Sequence, residues 1–378
     1  VAPGSPSANP ANSGPGRFRD IAELVGVAVV AVLVGWWCTE AGIPASWIFG
    51  FLVVFGLYSL LRNRTVSPPS ATMQPAQVLI AMVCTTPLME LDGATVRSYL
   101  LPTALSVLVM LVVSTVAGLV LARFGRTDPV SAMISTLAGG ASAMTLMARE
   151  LHLDVRFVVL TQYLRLTLVV LTLPLFVHLL GGQDAGSVGG GSSDWWEPDL
   201  RPVVGAAVVW AVTWTFVRLT RRLFSIPAPY LLVSIAVTWI LSAAGVPAVW
   251  LTPHGAVLTV AYGIIGIQAG GTLTIGALRQ LSHALPIILT AVTVMVAGTV
   301  GAALVIAQVT DISRLDAYLA TVPGGIYAVL AFAHESGSSA VVTVGQVLRT
   351  LVMIVVGAYL PTIVRKLTGR RQSGDADD

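Results

Sequence analysis

Two arginines, Arg165 and Arg349, stand well inside stretches otherwise built of Val, Leu, Thr and Met. A charge near the centre of a membrane helix costs roughly 2.5–3.5 kcal/mol on insertion scales, so it persists where it is paired or faces a polar cavity. Three positions before each lies a glutamine, Gln162 and Gln346, on the same helical face. Upstream of each stands a glycine pair, Gly139-Gly140 and Gly324-Gly325, then a mainly apolar run and a glutamate, Glu150 and Glu335. The chemistry these residues offer is anion binding. Two cations lining one polar cavity would hold an anion. A glycine pair lets a half-helix begin in mid-membrane, aiming unpaired backbone N–H groups and the positive end of the helix dipole at that ligand. Each residue also has a structural alternative. The arginines could pair with Glu150 or Glu335, the glutamines could clamp neighbouring helices, and the glycines could serve close packing. The two glutamates either carry a coupling proton, since desolvation raises a carboxyl pKa, or neutralise a nearby arginine.

No other constellation competes. The five histidines, at 152, 178, 254, 283 and 334, form no HxxxH or HExxH spacing, and Cys38 and Cys84 form no CxxC. The expectation is therefore a protein without catalytic residues, cofactor or bound metal.

The candidate residues belong to a duplicated stretch. AGGASAMTLMARELHLDVRFVVLTQYLR (138–165) returns as PGGIYAVLAFAHESGSSAVVTVGQVLR (323–349), with one residue deleted between Glu335 and Gln346. IPASW (43–47) returns as IPAPY (226–230), and Pro102 as Pro286. A nearly constant shift of 183 to 185 positions marks two tandem repeats.

The elements that must position these residues are membrane helices. Of 378 residues, 55% are hydrophobic and 10% charged, and the mean hydropathy is +0.84. Soluble domains carry about 25% charged residues. A pI near 9.1 reflects basic residues flanking spans more than a nucleic-acid surface. Apolar runs predict spans near residues 21–38, 47–61, 75–89 (interrupted near Pro87), 99–122, 157–180 and 202–217, with a broken or re-entrant segment around Gly139-Gly140. The parts are a disordered cytoplasmic tail at 1–19, repeat 1 at 20–180, a Gly/Ser-rich linker at 181–199, repeat 2 at 200–367 and a polar tail at 368–378.

Charge decides between the two arrangements of the repeats. With five spans and one re-entrant hairpin per repeat, both termini are cytoplasmic. Sixteen of the 21 basic residues then lie inside, and only Arg97, Arg201 and Arg314 lie outside. If the Gly-Gly segments crossed fully, Arg218, Arg221 and Arg222 would face outward. The expected fold is thus an all-α polytopic protein of the cytoplasmic membrane, with two inverted repeats of about five transmembrane helices plus a Gly-Gly broken or re-entrant helix each. Inverted repeats with broken helices at the midplane are a transporter design.

The doubled (A/P)GG…E…Q-x-x-R pattern, with Ile-Pro-Ala opening each repeat, resembles the AbrB family of membrane proteins over about residues 20–367. Pro323-Gly324-Gly325 keeps the family's Pro-Gly-Gly, while the first copy has Ala138. The resemblance implies an internal "AbrB duplication"; family labels include ammonia monooxygenase and AbrB-type transporter. Read with the residues, it leads to a transporter or exporter of a small organic anion or lipid-linked phosphate. Substrate would bind at Arg165, Arg349, Gln162, Gln346, Gly139, Gly140, Gly324 and Gly325, with no nucleic-acid partner and with a homodimer as one assembly. The alternatives are a membrane monooxygenase and a non-transporting membrane regulator acting indirectly on gene expression.

Overall fold

The computed structural model describes residues 15–89, 92–125, 127–181, 200–220, 228–280, 282–338 and 340–368, and its regular structure is entirely helical among them. Most of the tails and nearly all of the 181–199 linker expected from the sequence lie outside these residues, as do Arg126, Arg221 and Arg222. The first half contains α1 (Pro15–Glu40), α2 (Ser46–Arg62), α3 (Ser70–Met89), α4 (Gly93–Phe124), α5 (Pro129–Thr136), α6 (Ala141–Glu150) and α7 (Val155–Gly181). The second contains α8 (Arg201–Thr220), α9 (Pro229–Ala243), α10 (Ala248–Leu251), α11 (Gly255–Gly270), α12 (Ile275–Gln280), α13 (Leu285–Val309), α14 (Arg314–Thr321), α15 (Ile326–Glu335) and α16 (Ala340–Thr368). Seven segments are long and apolar enough to cross a membrane; one of them, Ala248–Arg279, is interrupted between α10, α11 and α12. The chain is a polytopic helical membrane protein.

Local sequence explains the unusual elements. Each short helix α5 and α14 opens on a side-chain cap: Asp128 accepts from Ser131 N at 2.9 Å with Pro129 in the first turn, and Ser313 accepts from Asp316 N at 2.9 Å. Each stops where the backbone turns extended, at Leu137 (φ −64°, ψ 128°) and Val322 (φ −61°, ψ 134°). The helices resume at α6 and α15, past the glycine pairs. The two Ile-Pro-Ala segments also share a feature: Ala45 and Ala228 both take left-handed φ, +51° and +43°, just before α2 and α9. One expectation needs correcting. The third span is longer than the apolar pattern implied and runs unbroken from Ser70 to Met89. Pro87 falls in its last turn, where a missing N–H costs a single helical bond.

Packing places the broken segments at the centre. The seam between α2 and α11 is built on glycine: a Cβ at Gly266 would sit 2.6 Å from Ile48 O, and one at Gly270 2.2 Å from Leu52 O, so these helices approach through backbone. Thr167 Oγ1 donates to Ala269 O at 2.6 Å, tying α7 to α11. Thr343 Oγ1 donates to Cys84 O at 3.2 Å, tying α16 to α3. Thr127, just before α5, lines one pocket with Asp154 and Arg156, just after α6, so both ends of the broken segment reach the same end of the bundle. His283 and Ala284, at the start of α13, line that pocket too, beside the end of α4. Farther along, a Cβ at Gly298 would lie 3.3 Å from Val113. The helices α4 and α13 therefore run antiparallel.

Candidate functional site

Each broken helix leaves two sets of orphan backbone groups at its tip, the carbonyls ending the first half-helix and the N–H groups beginning the second. The structure treats the two sets differently. The carbonyls are taken by the Gln-x-x-Arg of the next helix. From α7, Gln162 Nε2 donates to Ile134 O at 2.8 Å and Leu137 O at 3.0 Å, and an Arg165 terminal nitrogen donates to Thr136 O at 2.9 Å. From α16, Gln346 Nε2 donates to Leu319 O and Arg349 to Val322 O. A cation at a helix C-terminus also complements the dipole there. The N–H ends differ in kind: the residues preceding α6 and α15 are Gly140 and Gly325, which have no side chain with which to cap them.

The tips are anchored from the other side as well. Thr136 Oγ1 donates to Ser114 O at 2.9 Å, and Thr321 Oγ1 meets Thr299 O at 3.5 Å. Each arginine's helix lies against the glycine pair in the other half of the chain. A Cβ at Gly325 would touch Leu166 at 3.0 Å and one at Gly324 would lie 3.4 Å from Val169, both on α7. A Cβ at Gly139 would lie 3.2 Å from Met353 and 3.3 Å from Ile354, both on α16.

These pieces enclose one cavity of about 320 Å3. Arg165, Arg349, Gln162 and all four glycines line it. Gln346 is fully buried behind it, and its Oε1 has no hydrogen-bond partner among the described residues. Arg165 is 5% exposed and Arg349 1%, and the Nε of each is buried without a partner. Gln162 Oε1 accepts from the second terminal nitrogen of Arg165 at 2.7 Å. No aspartate or glutamate is among the described lining residues.

The two glutamates are not brought in. Glu150 lies exposed at the end of α6. Glu335, half-buried at the end of α15, accepts from Ala45 N at 3.1 Å and so anchors the strained turn before α2. Among the described residues neither pairs with an arginine; ion pairs join Arg62 to Glu23 and Arg64 to Asp20 at the bundle's end. The idea of a glutamate–arginine brace therefore fails, because the arginines are spent on backbone carbonyls at the helix tips. Sequence reasoning missed Gln77 on α3, Gln268 on α11, and Tyr163, Tyr230 and Tyr327, all of which line the cavity. Gln77 and Gln268 were findable as lone amides within apolar runs; the tyrosines carried no such signal. Among the described residues no three His, Cys, Asp or Glu side chains gather as a metal ion would require.

Comparison with known proteins adds three findings. Residues 47–367 match the family described as "Transition state regulatory protein AbrB". The chain is 27% identical over 354 residues to "Uncharacterized protein YhjN" of Bacillus subtilis (strain 168), which covers 86% of this chain and 88% of that one. It is 24% identical over 335 residues to "Putative regulator AbrB" of Escherichia coli (strain K12), covering 88% and 93%.

Proposed function

This chain belongs to the AbrB family of membrane proteins, and on that premise we propose that it is a secondary transporter or exporter, not an enzyme, whose cargo is an organic anion or a lipid-linked phosphate. One observation carries the reading. Two buried arginines line a common cavity, and no acidic residue among the described lining neutralises them. Burying two such charges is expensive, and an anionic ligand would offset that cost while bound. The glycine pairs that precede α6 and α15 line the same cavity, so two helix N-termini, which favour anions, lie at its wall.

The antiparallel course of α4 and α13, which hold matching places in the two repeats, supports an inverted duplication closing on a central site. The bundle end that gathers Arg62, Arg64 and Arg156 is then cytoplasmic by the positive-inside rule.

The test is uptake of radiolabelled anions into proteoliposomes. Wild-type protein transports, whereas Arg165→Ala and Arg349→Ala each lose transport while remaining inserted in the bilayer. Normal transport by either variant removes the site assignment. A second reading, a non-transporting membrane regulator, draws on the words "regulatory" and "regulator" in the family's and the E. coli relative's descriptions. It predicts no anion flux in the same vesicles.

A further inference from the structure

We infer that the cavity is built for a two-ended dianion, a dicarboxylate-like molecule with an organic body between its charges. The inference rests on the anion-site reading above and narrows its cargo. The cationic features come in matched pairs. Each repeat contributes one buried arginine to the cavity wall, and one half-helix N-terminus whose glycine pair lies on that wall.

The helices that carry the arginines also reach across to the other half. The helix of Arg165 lies against the glycine tip that opens α15, through Leu166 and Val169. The helix of Arg349 lies against the tip that opens α6, through Met353 and Ile354. The result is two half-sites on one wall, each built on the arginine of one repeat at its own broken-helix tip, with both glycine pairs lining the space between them. A ligand with a single charge would occupy one half-site and leave the second arginine uncompensated in a buried setting. A ligand with a carboxylate at each end satisfies both.

The walls argue for a body between the charges. Leu166, Ile265, Ile326, Tyr163 and Tyr327 line the same cavity. Its volume of about 320 Å3 compares with the ~30 Å3 share of one water in the liquid. A compact oxyanion would leave most of that space unfilled and most of that apolar wall uncovered. The tyrosine and glutamine groups, including Gln77 and Gln268, can serve the polar edges of a larger organic molecule.

The experiment is calorimetric titration of the full chain in detergent with matched ligand pairs. These are straight-chain dicarboxylates of four to ten carbons against the monocarboxylates of the same length, terephthalate against benzoate, and sulfate and farnesyl phosphate as one-ended dianions. The expected result is a best dicarboxylate binding at least about tenfold tighter than its monocarboxylate partner and than either one-ended dianion, as loss of one charge-assisted contact implies. Arg165→Gln and Arg349→Gln should each collapse that ratio to near unity. The wild-type ratio stands on its own if a variant does not fold. Monocarboxylates binding as tightly as dicarboxylates would overturn the two-ended proposal while leaving the anion site intact. Sulfate or farnesyl phosphate binding tightest would do the same. Failure of every anion to bind would overturn the proposal and the anion-site reading together.

Discussion

At the residue scale, the two glycine tips are not equivalent although both carry Gly-Gly. Gly140 has φ +91° and ψ 123°, a conformation that residues with a Cβ rarely adopt, while Gly325 sits at φ −69° and ψ 127°, open to any residue. A Cβ at Gly140 would meet nothing within 4 Å, so its cost is purely one of backbone. Gly140→Ala should therefore lose about 1–3 kcal/mol, the usual penalty for a sparsely populated dihedral. Gly325→Ala needs only that the flexible end of Leu166 give way, since its Cδ1 would lie 3.0 Å from the new Cβ. Thermal unfolding in detergent should rank Gly140→Ala below Gly325→Ala. The reverse order would mean that the tips differ in some other respect. The same non-equivalence appears in the glutamines: Gln162 Oε1 takes an Arg165 N–H, whereas Gln346 Oε1 has no partner among the described residues.

Half-helices are stable in a membrane interior only when their ends are satisfied, and at the element scale the sequence supplies a partner for every carbonyl end. The threonines are the second anchor, holding each tip to the long helix before it. Thr136 Oγ1 has Ser114 O of α4 as its nearest acceptor, at 2.9 Å against 3.0 Å for Met133 O within α5, but Thr321 Oγ1 is 3.5 Å from Thr299 O. Replacing Thr136 by valine keeps the shape and removes the tie, so Thr136→Val should cost about 1 kcal/mol. Thr321→Val should cost measurably less, because its hydroxyl already bonds mainly within α14, to Ala317 O at 2.8 Å. Equal losses in thermal unfolding would mean that the interhelical bond contributes nothing. The threonines were legible as polar residues in an apolar run, but their partners, 22 positions away in both repeats, were not.

For the whole molecule, the arrangement makes a directional claim that labelling can check. Thr127, Arg156 and His283 line one pocket, while Ser98 lies near the opposite end of α4. Single cysteines at 127, 156 and 283 should react with a membrane-impermeant thiol reagent from one side of the bilayer, and one at 98 from the other. The native Cys38 and Cys84 are buried and should contribute little background. Labelling of positions 127 and 156 from opposite sides would mean that the broken segment crosses the membrane and does not return. If the side shared by 127, 156 and 283 is cytoplasmic, the bias of basic residues in the sequence is explained as well.

What the sequence determined by itself is what hydropathy and repetition encode. An apolar chain with few charges must bury its backbone polar groups in helices to enter a bilayer, so the helical membrane fold followed from composition. The points of fracture followed from doubled Gly-Gly, and the candidate ligand residues from arginines too costly to be idle. What only the tertiary structure decided is which groups those arginines meet. Pairing with Glu150 or Glu335 was one of two readings of the arginines, because opposite charges close in sequence invite it. The helices instead carry Glu150 to the surface and Glu335 to Ala45, and they bring Arg165 and Arg349, 184 positions apart, to one cavity. That meeting, and the inclusion of Gln77, Gln268 and three tyrosines, depends on how helices from both repeats cross. Packing of this kind is a sum of many small contacts between distant segments, and no local pattern in the chain records it.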